Sequence, residues 1–174
     1  MFNYSKKIKY KERILYNKIL LLSRNKTFFT KFDIADTFQN RIYLIFLHIS
    51  FLFIKIRKEN KNQFFKDFSQ KIFDHIFKEI ENNMRENGFG DMTVNKNMKF
   101  FIKNFYNILL NCEEYKSKSI IDKSTFLFNY LSINTQQNTP VNEELINYFD
   151  KYESFCFDLT PDSVLSGDLN FTYK

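Results

Sequence analysis

The sequence predicts an all-α fold: a single-domain helical bundle of about six helices around a central helical hairpin. Three observations carry this expectation. The 174 residues include only three Gly and two Pro, whereas all-β folds use both freely at tight turns. Apolar residues recur at helical rather than alternating spacing. The 44% apolar content is enough for one core in a chain the size of one ordinary domain. The 23 Phe, alongside much Lys, Asn and Ile, read as AT-rich coding and not as a functional aromatic surface.

The first helix is expected from about Tyr10 to Ser23, where Ile14, Leu15, Ile19 and Leu22 keep helical spacing between basic residues. Asn25 to Thr30 reads as a loop. Asp33 and Asp36 stand as N-caps before a helix from Phe38 to Lys58, with Leu44, Leu47, Phe51 and Ile54 along one line. That helix is apolar nearly all round, so it should lie between other helices or hold a face for a partner. Its most apolar run, Ile42 to Ile56, is 15 residues long and is interrupted by His48, Ser50 and Lys55. Crossing a membrane takes roughly 20 apolar residues, which argues for a soluble core helix.

After a polar break at Asn60 to Asn62, the residues Phe65, Phe68, Ile72, Ile76, Ile80 and Met84 mark the cleanest amphipathic stripe in the chain. Gly88 should end this helix as a left-handed C′ residue, and Asp91 or Thr93 should cap the next. The following helix carries Val94, Met98, Phe101, Phe105, Leu109 and Cys112 on one side, and Lys96, Lys99 and Lys103 on another. These two helices make the central hairpin. A fifth helix is expected around Ser124 to Ile133, a polar loop at Asn134 to Thr139, and a sixth helix from Pro140 to about Phe157. Residues from about 158 to 174 show no clear pattern and are expected to fray.

Nine basic residues against one acid in positions 1–31 give a charge of +8, while two Lys against seven acids in positions 141–174 give −5. A basic segment of this kind attracts RNA, a ribosome surface or anionic lipid, or simply serves solubility, and the acidic tail reads as a solvated end. Cys112 and Cys156 suggest neither a disulfide framework nor a zinc site. The N-terminus lacks the apolar region and cleavage site of a secretory signal, so a cytoplasmic location is expected.

Catalysis has few candidates. There are two histidines, His48 and His75, no G-x-S-x-G turn, and none of the Glu-x-x-His pairs of a di-iron bundle. His75 reads as structural, and His48 either as a hydrogen-bonded core residue or as a partner contact. Gly88-Phe89-Gly90 follows a helix, which makes it turn chemistry and not a dinucleotide loop. No catalytic residue, cofactor or metal is expected. Around that turn, however, Arg85, Glu86, Asp91 and Lys96 crowd into twelve positions, more than a bare hairpin requires.

These residues belong to a longer ordered set: Asp36-Thr37-x-x-Asn40-Arg41 before an apolar helix reaching Leu47-His48, Phe73-Asp74, Met84-Arg85-Glu86-x-Gly88-x-Gly90-Asp91, Lys96-x-Met98-Lys99, and Phe105-Tyr106. In order and spacing the set closely resembles the ubiquinol-cytochrome c chaperone family over roughly residues 10 to 131. Asn40, Asn95 and Asn107-Ile108 depart from the family pattern, which has Gly, Gly and Gly-Arg there. Asn at position 40 is expected to keep a left-handed turn, and Ile108 to have lost a charged client contact.

The resemblance implies a non-enzymatic chaperone, without cofactor, for assembly of the cytochrome bc complex, respiratory complex III. Mitochondrial relatives bind newly made cytochrome b together with a small helical partner protein near the ribosomal exit. This chain resembles the bacterial type, cytoplasmic and at most peripheral at the inner face of the cytoplasmic membrane. The resemblance implies partner-binding roles for Asp36, Thr37, Arg41, His48, Asp74, Arg85, Glu86, Gly88, Gly90, Asp91, Lys96, Lys99 and Tyr106. The competing expectations are that these residues only lock the hairpin, or that the chain is a basic ribosome- or RNA-associated module without sequence-specific nucleic-acid recognition.

Overall fold

The computed structural model describes residues 2–59, 63–133 and 142–173. Through them run α1 (Phe2–Ser23), α2 (Thr27–Thr30), α3 (Phe38–Glu59), α4 (Gln63–Glu86), α5 (Asp91–Glu113), α6 (Ile120–Tyr130), α7 (Glu143–Asp158) and α8 (Pro161–Ser166). A 3-10 turn at Tyr115–Ser117 follows α5, and Ile34 and Ile133 form an isolated antiparallel bridge. The fold is an all-α single-domain bundle, as predicted. The polar segments expected at Asn60 to Asn62 and at Asn134 to Thr139, and the expected helix start at Pro140, lie outside the described residues.

Helix α3 is the axis of the bundle. It packs most extensively against α5, and also against α1, α7, α4 and α8. Phe46 at its centre meets Phe77 of α4 at 5.5 Å between ring centroids and Phe105 of α5 at 5.3 Å. The stretch Phe38–Lys58 does have the length and composition of a membrane-crossing helix, so reading only Ile42 to Ile56 understated it. Its apolar surface is nevertheless committed to the protein's own core, because 83% of that window is buried inside the fold. Lys55, which interrupts the run, is buried and donates to the carbonyl of Phe157 in the last turn of α7. A cation there faces the negative end of that helix's dipole.

The α4–α5 turn follows from Gly88. It has φ +82°, its N–H donates to the Arg85 carbonyl at 2.9 Å, and the Phe89 N–H donates to the Met84 carbonyl at 3.1 Å. This pair of bonds is the Schellman closure, which satisfies carbonyls the helix end leaves free. Helix α5 is then capped by Gly90, not by Asp91 or Thr93; Asp91 occupies the first turn, where a carboxylate suits the positive end of the dipole.

The entry to α3 also differs from expectation. Thr37 caps it, its hydroxyl accepting the Asn40 N–H at 3.2 Å, while Asp33 takes a left-handed φ of +56° and Asp36 pairs elsewhere. Asn40 is helical and buried, and so does not keep a left-handed turn. Its amide donates to the Ala35 and Ser132 carbonyls at 2.7 and 3.2 Å and accepts the Ser132 N–H at 3.1 Å. The side chain therefore clasps the start of α3 to the segment after α6, beside the Ile34–Ile133 bridge. Ile108 is fully buried on the inner face of α5, so in this chain its position belongs to the core and not to a client surface.

The expected frayed tail is a correction. Thr160 caps α8, Pro161 opens it, and Gly167 ends it at φ +73°. Beyond the helix, Leu169 is buried and Phe171 packs on Tyr148 and Tyr152 at 5.4 and 5.2 Å. Tyr173 packs on Phe32 at 5.8 Å and on Tyr148 at 5.1 Å. These apolar residues follow no period because they pack one by one, Phe171 on α7 and Tyr173 between α7 and the segment before α3. The oppositely charged ends also meet, with Lys31 pairing with Glu144 at 3.1 Å.

Candidate partner-binding surface

Two groups of the expected residues stand on the surface. At the end of the hairpin, Arg85 reaches back one turn to Glu81, with its Nε at 3.0 Å and a terminal nitrogen at 2.9 Å. Its other terminal nitrogen crosses the turn to Asp91 at 2.5 Å. Arg85 and Asp91 are exposed and Glu81 partly so, and Glu86, Gly88, Gly90, Lys96 and Lys99 are exposed as well. The Arg85 bridge therefore orders the tip without being a buried lock, since ion pairs in high dielectric contribute little to stability. Gly90 keeps φ at −69°, which any residue adopts.

The second group lies at the start of α3. Arg41 grips Asp36 with two parallel bonds of 2.6 and 2.8 Å, and its guanidinium lies 5.3 Å from the Phe29 ring. Hydrogen bonding from Arg41 holds the Asp36 carboxyl below its ordinary pKa. The partly exposed Phe38 packs edge-on against Phe101 of α5 at 6.4 Å, which sets this end of α3 beside the middle turns of α5. Helix α5 begins ten residues before Phe101, so the hairpin tip extends about 15 Å past that contact.

Large apolar side chains accompany the tip. Phe89 is 43% exposed and Met92 88% exposed, and Phe100 stands out from α5 one turn beyond Lys96. Sequence reasoning did not single these out, because a hydrophobic residue on a surface has no signature in one chain.

The remaining expected residues are not brought to this surface. His48 is wholly buried, which removes it from any partner role. The Leu44 carbonyl lies 2.6 Å from its Nδ1 and the Tyr148 hydroxyl 2.8 Å from its Nε2. Because a carbonyl only accepts, Nδ1 carries the proton and Nε2 accepts from Tyr148. Burial among Phe28, Tyr148, Phe149 and Tyr152 lowers the imidazole pKa to about 4. Asp74 is exposed halfway along α4, where it accepts from Gln70 at 2.8 Å beside a polar cleft between α1 and α4 that also holds Tyr16, Lys71 and His75. Tyr106, half exposed, sits at the far end of α5 over an apolar groove of about 300 Å³ whose lining includes Phe53, Phe65, Phe73, Phe105 and Leu109.

No cluster of three His, Cys, Asp or Glu side chains that could hold a metal occurs among the described residues. Both thiols are buried, and burial raises their pKa, the opposite of an activated nucleophile.

A comparison with curated protein sequences finds no significant match. The crystal structure of the Cbp3 homolog from Brucella abortus has a similar fold, with a TM-score of 0.79 over 98% of this chain and 93% of that one at 20% identity. The model of the ubiquinol-cytochrome c chaperone family matches residues 30–171, starting later than the resemblance over roughly residues 10 to 131 and continuing through α7 and α8. The motif order, the hairpin those motifs build and a match across most of the sequence agree: the chain belongs to the ubiquinol-cytochrome c chaperone family.

Proposed function

We propose that this protein is a non-enzymatic assembly chaperone that holds newly made cytochrome b while the cytochrome bc complex is built. The observation that carries the reading is the family match through residues 30–171, joined to the exposed mixture of charged and apolar side chains at the hairpin tip. A nascent multi-spanning client offers apolar helices and polar connecting loops. Phe89 and Met92 can cover the former, while Arg85, Glu86, Asp91, Lys96 and Lys99 pair with the latter. Asp36 and Arg41 extend the charged rim at the start of α3. The work is cytoplasmic and peripheral at the inner face of the membrane, where such a client is inserted, and a small helical partner protein takes part in it.

The double substitution Arg85→Ala with Glu86→Ala tests this reading. Cytochrome b co-purification and the cellular level of complex III should both fall while the melting temperature stays essentially unchanged. Undiminished capture, or a marked loss of stability, would overturn the placement of the client at the tip.

Exposed Lys11, Arg13, Arg24 and Lys26 favour a second reading, association with ribosomal RNA through the basic N-terminal segment. Such binding should be lost steeply with rising salt.

A further inference from the structure

Helix α5 has two unlike faces. Val94, Phe101, Phe105, Ile108 and Cys112 are buried, while Met92, Lys96, Lys99, Lys103, Tyr106 and Leu110 are exposed. The second set is spaced 4-3-4-3-4, so it forms one straight stripe about 27 Å long at 1.5 Å per residue. Its two ends are apolar, with Met92 88% and Leu110 61% exposed, and its middle is cationic. None of the three lysines forms an ion pair with a described residue, and no acid occurs between Asp91 and Glu113. At the Leu110 end the stripe runs beside the apolar groove over which Tyr106 stands.

We propose that this face binds an acidic amphipathic helix of a partner protein, with carboxylates over Lys96, Lys99 and Lys103 and apolar anchors at Met92, at Leu110 and at the groove under Tyr106. The proposal rests on the reading that the chain works by holding another protein, but not on Arg85 and Glu86 being the contact. A straight stripe along one helix is the shape a second helix covers. Charge complementarity sets the middle of the occupant, and the exposed ends set its anchors.

A lipid surface fits less well. Interfacial helices keep their lysines at the margins of the apolar face, where the ammonium reaches water. Here Lys99 and Lys103 lie on either side of the line from Met92 to Leu110, and inserting those two residues would drive the lysines deepest. Bases of RNA would need several aromatic platforms along the line, which carries one, Tyr106, between aliphatic ends.

The test is fluorescence anisotropy of the full chain with a labelled helical peptide of about 18 residues, Leu near both ends and Glu between them on one face, against a scrambled peptide of the same composition. The designed peptide should bind at least about tenfold more tightly than the scrambled one. Combining Lys96→Glu, Lys99→Glu and Lys103→Glu should abolish that binding and create binding to the peptide with Lys in place of Glu. Leu110→Ala should weaken binding without changing the charge preference. Circular dichroism and melting of these surface variants should match the parent.

The proposal fails if the parent does not distinguish the two peptides, or if charge reversal does not switch the preference. It also fails if vesicles of equal parts phosphatidylcholine and phosphatidylglycerol, or single-stranded RNA, bind this face while the acidic peptide does not. Cytochrome b capture that persists without peptide binding refutes this inference alone, whereas peptide binding without cytochrome b capture refutes the client assignment alone.

Discussion

Acidification should loosen this protein through one residue. His48 is neutral in the folded interior with its pKa lowered to about 4, against 6.5 for the free side chain. Between those values the unfolded chain holds more protons than the folded one, so stability is full above pH 6.5 and falls as the pH drops towards 4. Each unit is worth about 1.4 kcal/mol, which gives a loss of about 2 kcal/mol by pH 5 and on the order of 3 kcal/mol in all. His48→Gln supplies the control. A glutamine amide can donate to the Leu44 carbonyl and accept from the Tyr148 hydroxyl, yet it does not titrate in this range. Urea unfolding of both proteins from pH 7.5 to 5.0 then isolates the imidazole, because the carboxylates common to both cancel in the difference. The stability difference should shift by about 2 kcal/mol against the parent at the acid end. Parallel pH profiles would refute the reasoning and mean that His48 is hydrated or protonated in the folded state.

Three further outcomes can be checked by denaturant or thermal unfolding. Asn40→Ala should cost about 1 to 3 kcal/mol, since it removes three hydrogen bonds made by a buried side chain and leaves the Ser132 N–H without its acceptor, although the Ala35 and Ser132 carbonyls each keep a backbone donor. Gly88→Val should destabilise by about 1 to 2 kcal/mol through its left-handed backbone alone, because no neighbouring atom lies within 4 Å of a Cβ placed there. Phe171→Ala should lower stability measurably and expose Tyr148 and Tyr152 to solvent, whereas a frayed tail would make the same substitution neutral; near-ultraviolet circular dichroism of the tyrosines reports which.

What the sequence disclosed depended on the range of the interactions involved. Helices α3, α4 and α5 and the stop at Gly88 were legible because periodic burial and a left-handed C′ residue are local properties. Asn40 was misread because its role depends on Ser132, 92 positions away, and no local rule places those two together. Thr37 outcompeted two aspartates for the cap of α3 once Asp36 had committed both oxygens to Arg41. Residues 161 to 173 read as unpatterned because α8 is a single short helix and the rest packs side chain by side chain. At the surface, the crowded charges from Arg85 to Lys99 were visible in the sequence. That Arg85 bridges in the open, and that His48 turns inward, required the three-dimensional packing.

The burial of α3 has a consequence for how the protein is made. Residues 38 to 58 leave the ribosome before α4, α5, α7 and α8, which between them cover most of their surface. At ordinary translation rates, roughly 5 to 20 s pass between completion of α3 and the arrival of α8 at residue 166. Throughout that interval the young chain displays a segment long and apolar enough for a membrane, with only α1 and α2 to shield it. Burial of α3 is thus complete only after α7 and α8 have been made, and a pause in translation between α3 and α7 would lengthen its exposure.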